Sequence, residues 1–258
     1  MKTKNLTIVK FKKNNLLATK DKVVVEKPLE IWVNNKKAFI CLRLPGKDLE
    51  LALGLCFSEK IITRYEDLKN IKLEKNKIFL SLKNIKNFPF SSTRIIKSSA
   101  GLPNFNNLTS PLLNQKKEKK FSNQISVQKI FTLKENFFSK QKTFNLTGGT
   151  HAAAIYDLKG KNLSFAEDVG RHNALDKCSG EIIKKNKFEK VFLVMLSSRL
   201  SYEMIYKASL LKAEIVLGVS APTSLAIKTA KAYGLTLIGF LREGRFNIYS
   251  FPERIISQ

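Results

Sequence analysis

Both histidines of the 258-residue chain, His151 and His172, fall in short segments rich in glycine, hydroxyl and charged residues. The first segment, TGGTHAAA, offers Thr147, Gly148, Gly149, Thr150 and His151; the second, AEDVGRHNALDK, offers Glu167, Asp168, Arg171, His172, Asn173 and Asp176. Three more follow: SSRLSYEM with Ser197, Ser198 and Arg199, VSAPTS at 219–224, and GFLREGRFNIYS at 239–250. The mixture suits an anion. Glycine lets main-chain N–H groups approach a phosphate, and the forked guanidinium of arginine pairs with it bidentately. Five of the eight arginines, Arg171, Arg199, Arg242, Arg245 and Arg254, lie in this part of the chain.

Other chemistries find less support. Asp168 and His172, four apart, share a helix face, but no third ligand stands at a metal-site spacing, so no metal is expected. Ser197 or Ser198 would need a base and an orienting acid to act as a nucleophile; the same residues equally make an N-cap followed by a solvated arginine. Gly148 and Gly149 alone equally make a turn. The concurrence of five such segments favours a single pocket.

The elements that must position these segments can be read from the hydrophobic pattern. From Lys22 to Leu44 the chain alternates as two strands joined at Asn34-Asn35. A helix follows Pro45-Gly46, with Leu49, Leu51, Ala52, Leu55 and Cys56 on one face, and then more short strands to about residue 97. SSAGLPN, residues 98–104, and the polar run to about residue 120 read as turn and linker. Residues 126–149 read as a helix with Phe131, Phe137, Phe138 and Phe144 as a core stripe. Thereafter strands and helices alternate, as expected of a parallel or mixed sheet covered on both faces. The division falls near residue 120: residues 1–120 as a smaller N-terminal α+β domain, residues 121–258 as an α/β sandwich.

Composition bounds the rest. Hydrophobic residues make up 43% of the chain, enough for a core without staples. The cysteines, Cys41, Cys56 and Cys178, are odd in number and never paired as CxxC, which fits a reducing cytoplasm rather than a disulfide framework. No run reaches the roughly 18 apolar residues of a membrane span, so no membrane partner is expected. The net charge of +25 invites nucleic acid, yet 38 of the 46 basic residues are lysines scattered among Asn and Ile. That distribution favours a lysine-rich composition over a dedicated phosphate-reading face.

Taken in order, TGGTHAAA, EDVGRHNALDK, SSRLSYEM, VSAPTSLA and GFLREGRFNIYS, with DLELALGLCFSEKII upstream, resemble the formate dehydrogenase accessory protein family, FdhD, from about Val23 to Arg254. The resemblance implies a cytoplasmic homodimer whose C-terminal domain is like the cytidine deaminase fold. It implies a sulfurtransferase that takes persulfide sulfur from a cysteine desulfurase to the molybdenum cofactor, bis(molybdopterin guanine dinucleotide), for formate dehydrogenase or another molybdenum or tungsten enzyme. It assigns cofactor binding to FLREGR: Phe240, Arg242, Gly244 and Arg245, with Leu241 and Glu243 supplying backbone. Zinc chemistry is not expected, because His151 is followed by Ala152 and Ala153 rather than a catalytic Glu, and no PCxxC occurs.

One departure bears on activity. The family's sulfur loop reads Cys-Gly-x-Cys, and SSAGLPN places Ala100 and Pro103 at the two cysteine positions. Persulfide exchange needs a thiolate, which neither residue has. Three readings stand: sulfuration through another cysteine, Cys178 being the one expected to be reachable, or by guiding the desulfurase; a non-catalytic cofactor chaperone; and a basic nucleic-acid-binding protein.

Overall fold

A computed structural model describes residues 1–83, the backbone of 94–96, and residues 123–257. Ala100, Pro103 and the expected linker lie outside the described residues. The chain opens with a long hairpin, β1 (Thr3–Lys12) and β2 (Asn15–Val24), that the sequence reading did not anticipate. Its turn, Lys13-Asn14, has φ of 48° and 62°, the twist that suits two-residue hairpin loops.

A second hairpin joins β3 (Lys27–Val33) to β4 (Lys36–Arg43) through Asn34-Asn35 at φ 47° and 63°. The expected Asn-Asn turn is therefore present, but Lys22 to Val24 belong to the preceding hairpin. With β5 (Leu68–Glu74), β6 (Lys77–Leu82) and β7 (Arg94–Ile96) these strands form a five-stranded mixed sheet in the order β5-β6-β3-β4-β7. Alternate residues of β3, Leu29, Ile31 and Val33, are buried against helix α1 (Asp48–Ser58).

The second sheet has six strands in the order β10-β9-β11-β12-β13-β14. They are β9 (His151–Tyr156), β10 (Asn162–Asp168), β11 (Leu193–Leu196), β12 (Ile215–Gly218), β13 (Thr236–Arg242) and β14 (Arg245–Ser250). β11, β12 and β13 run parallel, and β9 and β14 are antiparallel to their neighbours. The period of two sorts side chains between two cores. Ala153 and Ile155 face α4 (Arg171–Lys184), α5 (Tyr202–Leu210) and α6 (Ser224–Tyr233); Ala152, Ala154 and Tyr156 face α2 (Val127–Ser139). The result is a three-layer α/β sandwich. A short parallel pair, β8 (Ile125–Ser126) with β15 (Ile255–Ile256), ties the start of α2 to the end of the chain.

The helix expected over 126–149 breaks into α2 and α3 (Lys142–Thr147). Glu167 explains the break: its carboxylate accepts hydrogen bonds from the Thr143 and Phe144 main-chain N–H groups at 3.0 and 2.7 Å, capping a new helix start.

α1 is not the one-faced helix its spacing suggests. Leu51 to Cys56 are all buried, because α1 lies between the five-stranded sheet and α4. The two helices cross at two glycines. A Cβ on Gly54 would stand 1.9 Å from the Asp176 carbonyl oxygen, and one on Gly180 would stand 1.8 Å from that of Glu50. Only a residue without a side chain permits that approach.

Candidate functional site

The C-terminal ends of β10, β11, β12 and β13 lie at one edge of the six-stranded sheet, with the N-terminal end of antiparallel β9 beside them. TGGT therefore precedes its strand rather than following one, and reaches the same edge because β9 runs the other way. At this edge opens a cleft of about 450 Å³. It is lined by Gly148, Gly149, Thr150 and His151, by Val169, Ser197 and Val219, and by a wall of Phe138 from α2, Gln141 at the break and Phe144 from α3.

The wall was missed by sequence reading. Phe138 and Phe144 are read as part of a core stripe, but Phe138 stands beside the buried Ile130, Leu133 and Phe137 face of α2 and Phe144 follows the break before α3, leaving them 36% and 41% exposed. Phe137 is buried as expected, and Phe131 packs at the edge of the core. Gln141 is buried and lines the cleft with its Nε2 lacking a hydrogen-bond partner. No periodic signal marks a glutamine at a helix break.

The glycine loop is fixed from below. Glu167 takes a third hydrogen bond from Thr150 Oγ1 at 3.1 Å, and Thr147 Oγ1 accepts from Gly149 N at 3.2 Å. Gly148 adopts φ 65° and would leave its Cβ in open space, so main chain is presented directly to the cleft. Ser197 Oγ accepts from Ala152 N at 2.8 Å. Among the described residues no imidazole bonds Ser197 or Ser198, whose Oγ donates to the Arg199 carbonyl, so neither forms a nucleophile–base pair.

Asp168, Arg171 and His172 do not line the cleft together. Asp168 is fully buried; it accepts from Leu44 N, Gly170 N and Asn173 Nδ2 at 3.0 to 3.1 Å and pairs with Lys177. It belongs to the joint between the two sheets. His172 is also buried, with both ring nitrogens unpartnered; burial first, then Lys207, Arg171 and His151, push its pKa down to about 2. His151 is shifted the same way by burial and by Arg171 and Arg199, against the pull of Asp168. Arg171 Nε is buried without a partner, and Arg199 is exposed. Among the described residues no group of His, Cys, Asp and Glu could hold a metal ion.

FLREGR forms the hairpin between β13 and β14. Leu241 is buried in the core, while Arg242, Glu243, Gly244 and Arg245 are exposed, with Gly244 at φ 66° in the turn. Phe240 takes φ 51° at an irregularity of the β13–β14 register, a strained conformation for an aromatic residue and one that gathers at ligand sites. Arg242 Nη1 donates to the Val219 carbonyl at 2.5 Å and Phe240 N to that of Ser220 at 3.2 Å, so the hairpin is tied to a loop that lines the cleft.

The cysteines are elsewhere and closed. Cys178, expected to be reachable, is fully buried, its Sγ donating to the Ala153 carbonyl at 3.2 Å. Burial raises its thiol and that of Cys41 to about 12, and raises Cys56 further.

This edge, assembled from the same five segments that carry the resemblance, agrees with the comparison of whole chains. Residues 24–256 match the FdhD/NarQ family. The chain belongs to that family. A sulfur carrier protein FdhD from Sulfolobus acidocaldarius is 41% identical over 257 residues, covering 99% of each chain. One from Staphylococcus aureus is 33% identical, covering 96% of this chain and 95% of the relative. A crystal structure from Desulfotalea psychrophila, described as a formate dehydrogenase accessory protein, superposes with a TM-score of 0.78 over 98% of this chain and 99% of that one. At 20% identity this last likeness speaks for the FdhD fold. No helix among the described residues is long and apolar enough to cross a membrane.

Proposed function

We propose that this FdhD-family chain is a cytoplasmic molybdenum-cofactor accessory protein, acting as a homodimer, that holds bis(molybdopterin guanine dinucleotide) at the cleft edge for a formate dehydrogenase or another molybdenum or tungsten enzyme. The observation that carries this reading is the buried Gln141 Nε2, a donor without a partner that lines a cleft edged by open glycine main chain. Buried polar atoms are rarely left unpaired, and an anionic ligand rich in acceptors answers them. Arg242 and Arg245 are the residues suited to its phosphates, and Phe240 offers a face for the base.

The cofactor supplies the metal centre that accepts sulfur. The chain's own residues bind and orient it. Sulfur does not travel on Cys41, Cys56 or Cys178, because a buried thiol near 12 or above has almost no thiolate and no access. The sulfane sulfur therefore comes from the desulfurase's own persulfide, with this protein presenting the cofactor.

Calorimetry with guanosine diphosphate tests the reading. The wild-type chain binds, and Arg245→Ala binds roughly tenfold more weakly. Unchanged affinity in Arg245→Ala removes the FLREGR assignment; no heat with the wild-type chain removes the cofactor reading.

A further inference from the structure

The β1–β2 hairpin is a ten-pair ribbon whose strands, among the described residues, pair only with each other. Such a ribbon is marginal in water by itself and gains from being covered. Its base is seated: β2 packs on α3, and the Val24 side chain lies against Gly149 at the cleft. Its tip is bare. Cross-strand pairs share a face, so Val9–Ala18 and Phe11–Leu16 form one apolar patch, with Val9, Phe11 and Leu16 each at least two-thirds exposed. Clustered apolar exposure at the end of an arm marks a contact surface.

The charge says what kind. Lys2, Lys4, Lys10, Lys12, Lys13, Lys20 and Lys22 stand on the arm against a single acid, Asp21. Two such arms repel each other, and lysine along both open edges disfavours strand addition by a second copy. The arm carries no arginine and one aromatic residue, which is poor equipment for stacking bases or gripping phosphates.

The geometry points to a docking arm for an acidic protein surface with an apolar socket, carried by the enzyme that receives the cofactor. This rests on the cofactor-accessory reading: the arm is rooted beside Gly149 at the cleft, and its tip stands about 26 Å further along the ribbon, a span that a protein partner facing the cleft can cover. The arm supplies attraction through its lysines and register through Phe11 and Leu16.

The test uses the full chain, the Phe11→Ser/Leu16→Ser variant, and a second variant with Lys10, Lys12 and Lys20 changed to Glu. Thermal melting and guanosine diphosphate affinity first show that body and cleft are intact. Binding to purified, cofactor-free formate dehydrogenase catalytic subunit is then measured at rising salt, with hydrogen exchange over residues 9–18. The expected result is a roughly tenfold or larger loss of affinity in each variant, salt-sensitive binding of the wild type, and protection of the arm in the complex. The inference is overturned by equal affinity of wild type and variants, by an arm left unprotected, or by no binding of wild type to the subunit. It is also overturned by wild-type dimers, nucleic-acid complexes or binding to phosphatidylglycerol vesicles that the variants lose while subunit binding persists. Loss of nucleotide binding in every form, by contrast, removes the cofactor reading instead.

Discussion

Lys177 Nζ lies 2.7 Å from Asp168 Oδ2, and neither side chain exposes more than 2% of its surface. The same ammonium donates to the Leu44 carbonyl, and the same carboxylate accepts from Leu44 N, so one ion pair closes the seam between β4 and α4. Burial presses the Lys177 pKa down and Asp168 pulls it back up. Removing one charge strands the other. Asp168→Asn should cost about 3–5 kcal/mol, read as the shift in urea denaturation at neutral pH; a loss below about 1 kcal/mol would mean that water reaches the pair.

The three thiols should be silent in the native state. Treated with a disulfide reagent such as dithiobisnitrobenzoate, the folded chain releases no thiolate at pH 8, and all three cysteines react once denaturant is added. Incubation with a desulfurase and cysteine leaves Cys41, Cys56 and Cys178 unmodified by mass spectrometry. A persulfide on any of them would contradict the closed geometry and return sulfur transfer to this chain.

Acid should weaken the fold through His172. Its pKa is held near 2 when folded, by burial before all else, and returns to about 6.5 on unfolding. Below that pH the unfolded chain takes up a proton that the folded chain refuses. The contribution is whole above about pH 6.5 and falls as acid approaches the folded value, losing about 2 kcal/mol by pH 5. His172→Gln should flatten the fall in denaturation free energy between pH 7.5 and 5.0 by about that amount. Parallel slopes for the two proteins would place a proton on the folded imidazole.

The crossing of α1 and α4 should reject any side chain at its glycines. Gly54→Ala sets a methyl group against the Asp176 carbonyl, backbone that cannot swing aside, and Gly180→Ala meets Glu50 in the same way. Each should lower stability by about 1–3 kcal/mol or more, measured by thermal or urea denaturation. Gly148→Ala, with open space around its Cβ, tests only the left-handed backbone and should cost about 1 kcal/mol.

The alternating strands and helices after residue 150 could be read because each buried strand is a short apolar run of the kind in Leu193–Leu196, bounded by turn residues. Asn34-Asn35 announced its hairpin for an equally local reason, since asparagine tolerates positive φ. The N-terminal arm escaped notice because its pattern of lysines and scattered apolar residues is that of a surface, and no buried face imposes alternation on it. Phe144 escapes the helical reading because spacing cannot report a break made by Glu167, more than twenty residues away, and Phe138 because a neighbour of the buried Phe137 falls at the margin of the α2 core face.

By itself the sequence determined the family, the α/β class of the chain and the five segments that meet at one edge, because motif order and hydrophobic period are local properties. Only the tertiary structure decided which residues line the cleft. Asp168 went into the seam between the sheets, His172 into a dry interior and Cys178 against the Ala153 carbonyl, while Gln141 and two phenylalanines came forward to the cleft. The reason is physical: a residue's type fixes what it can bond, but its burial and its nearest partners, set by strands and helices distant in the chain, fix what it does bond.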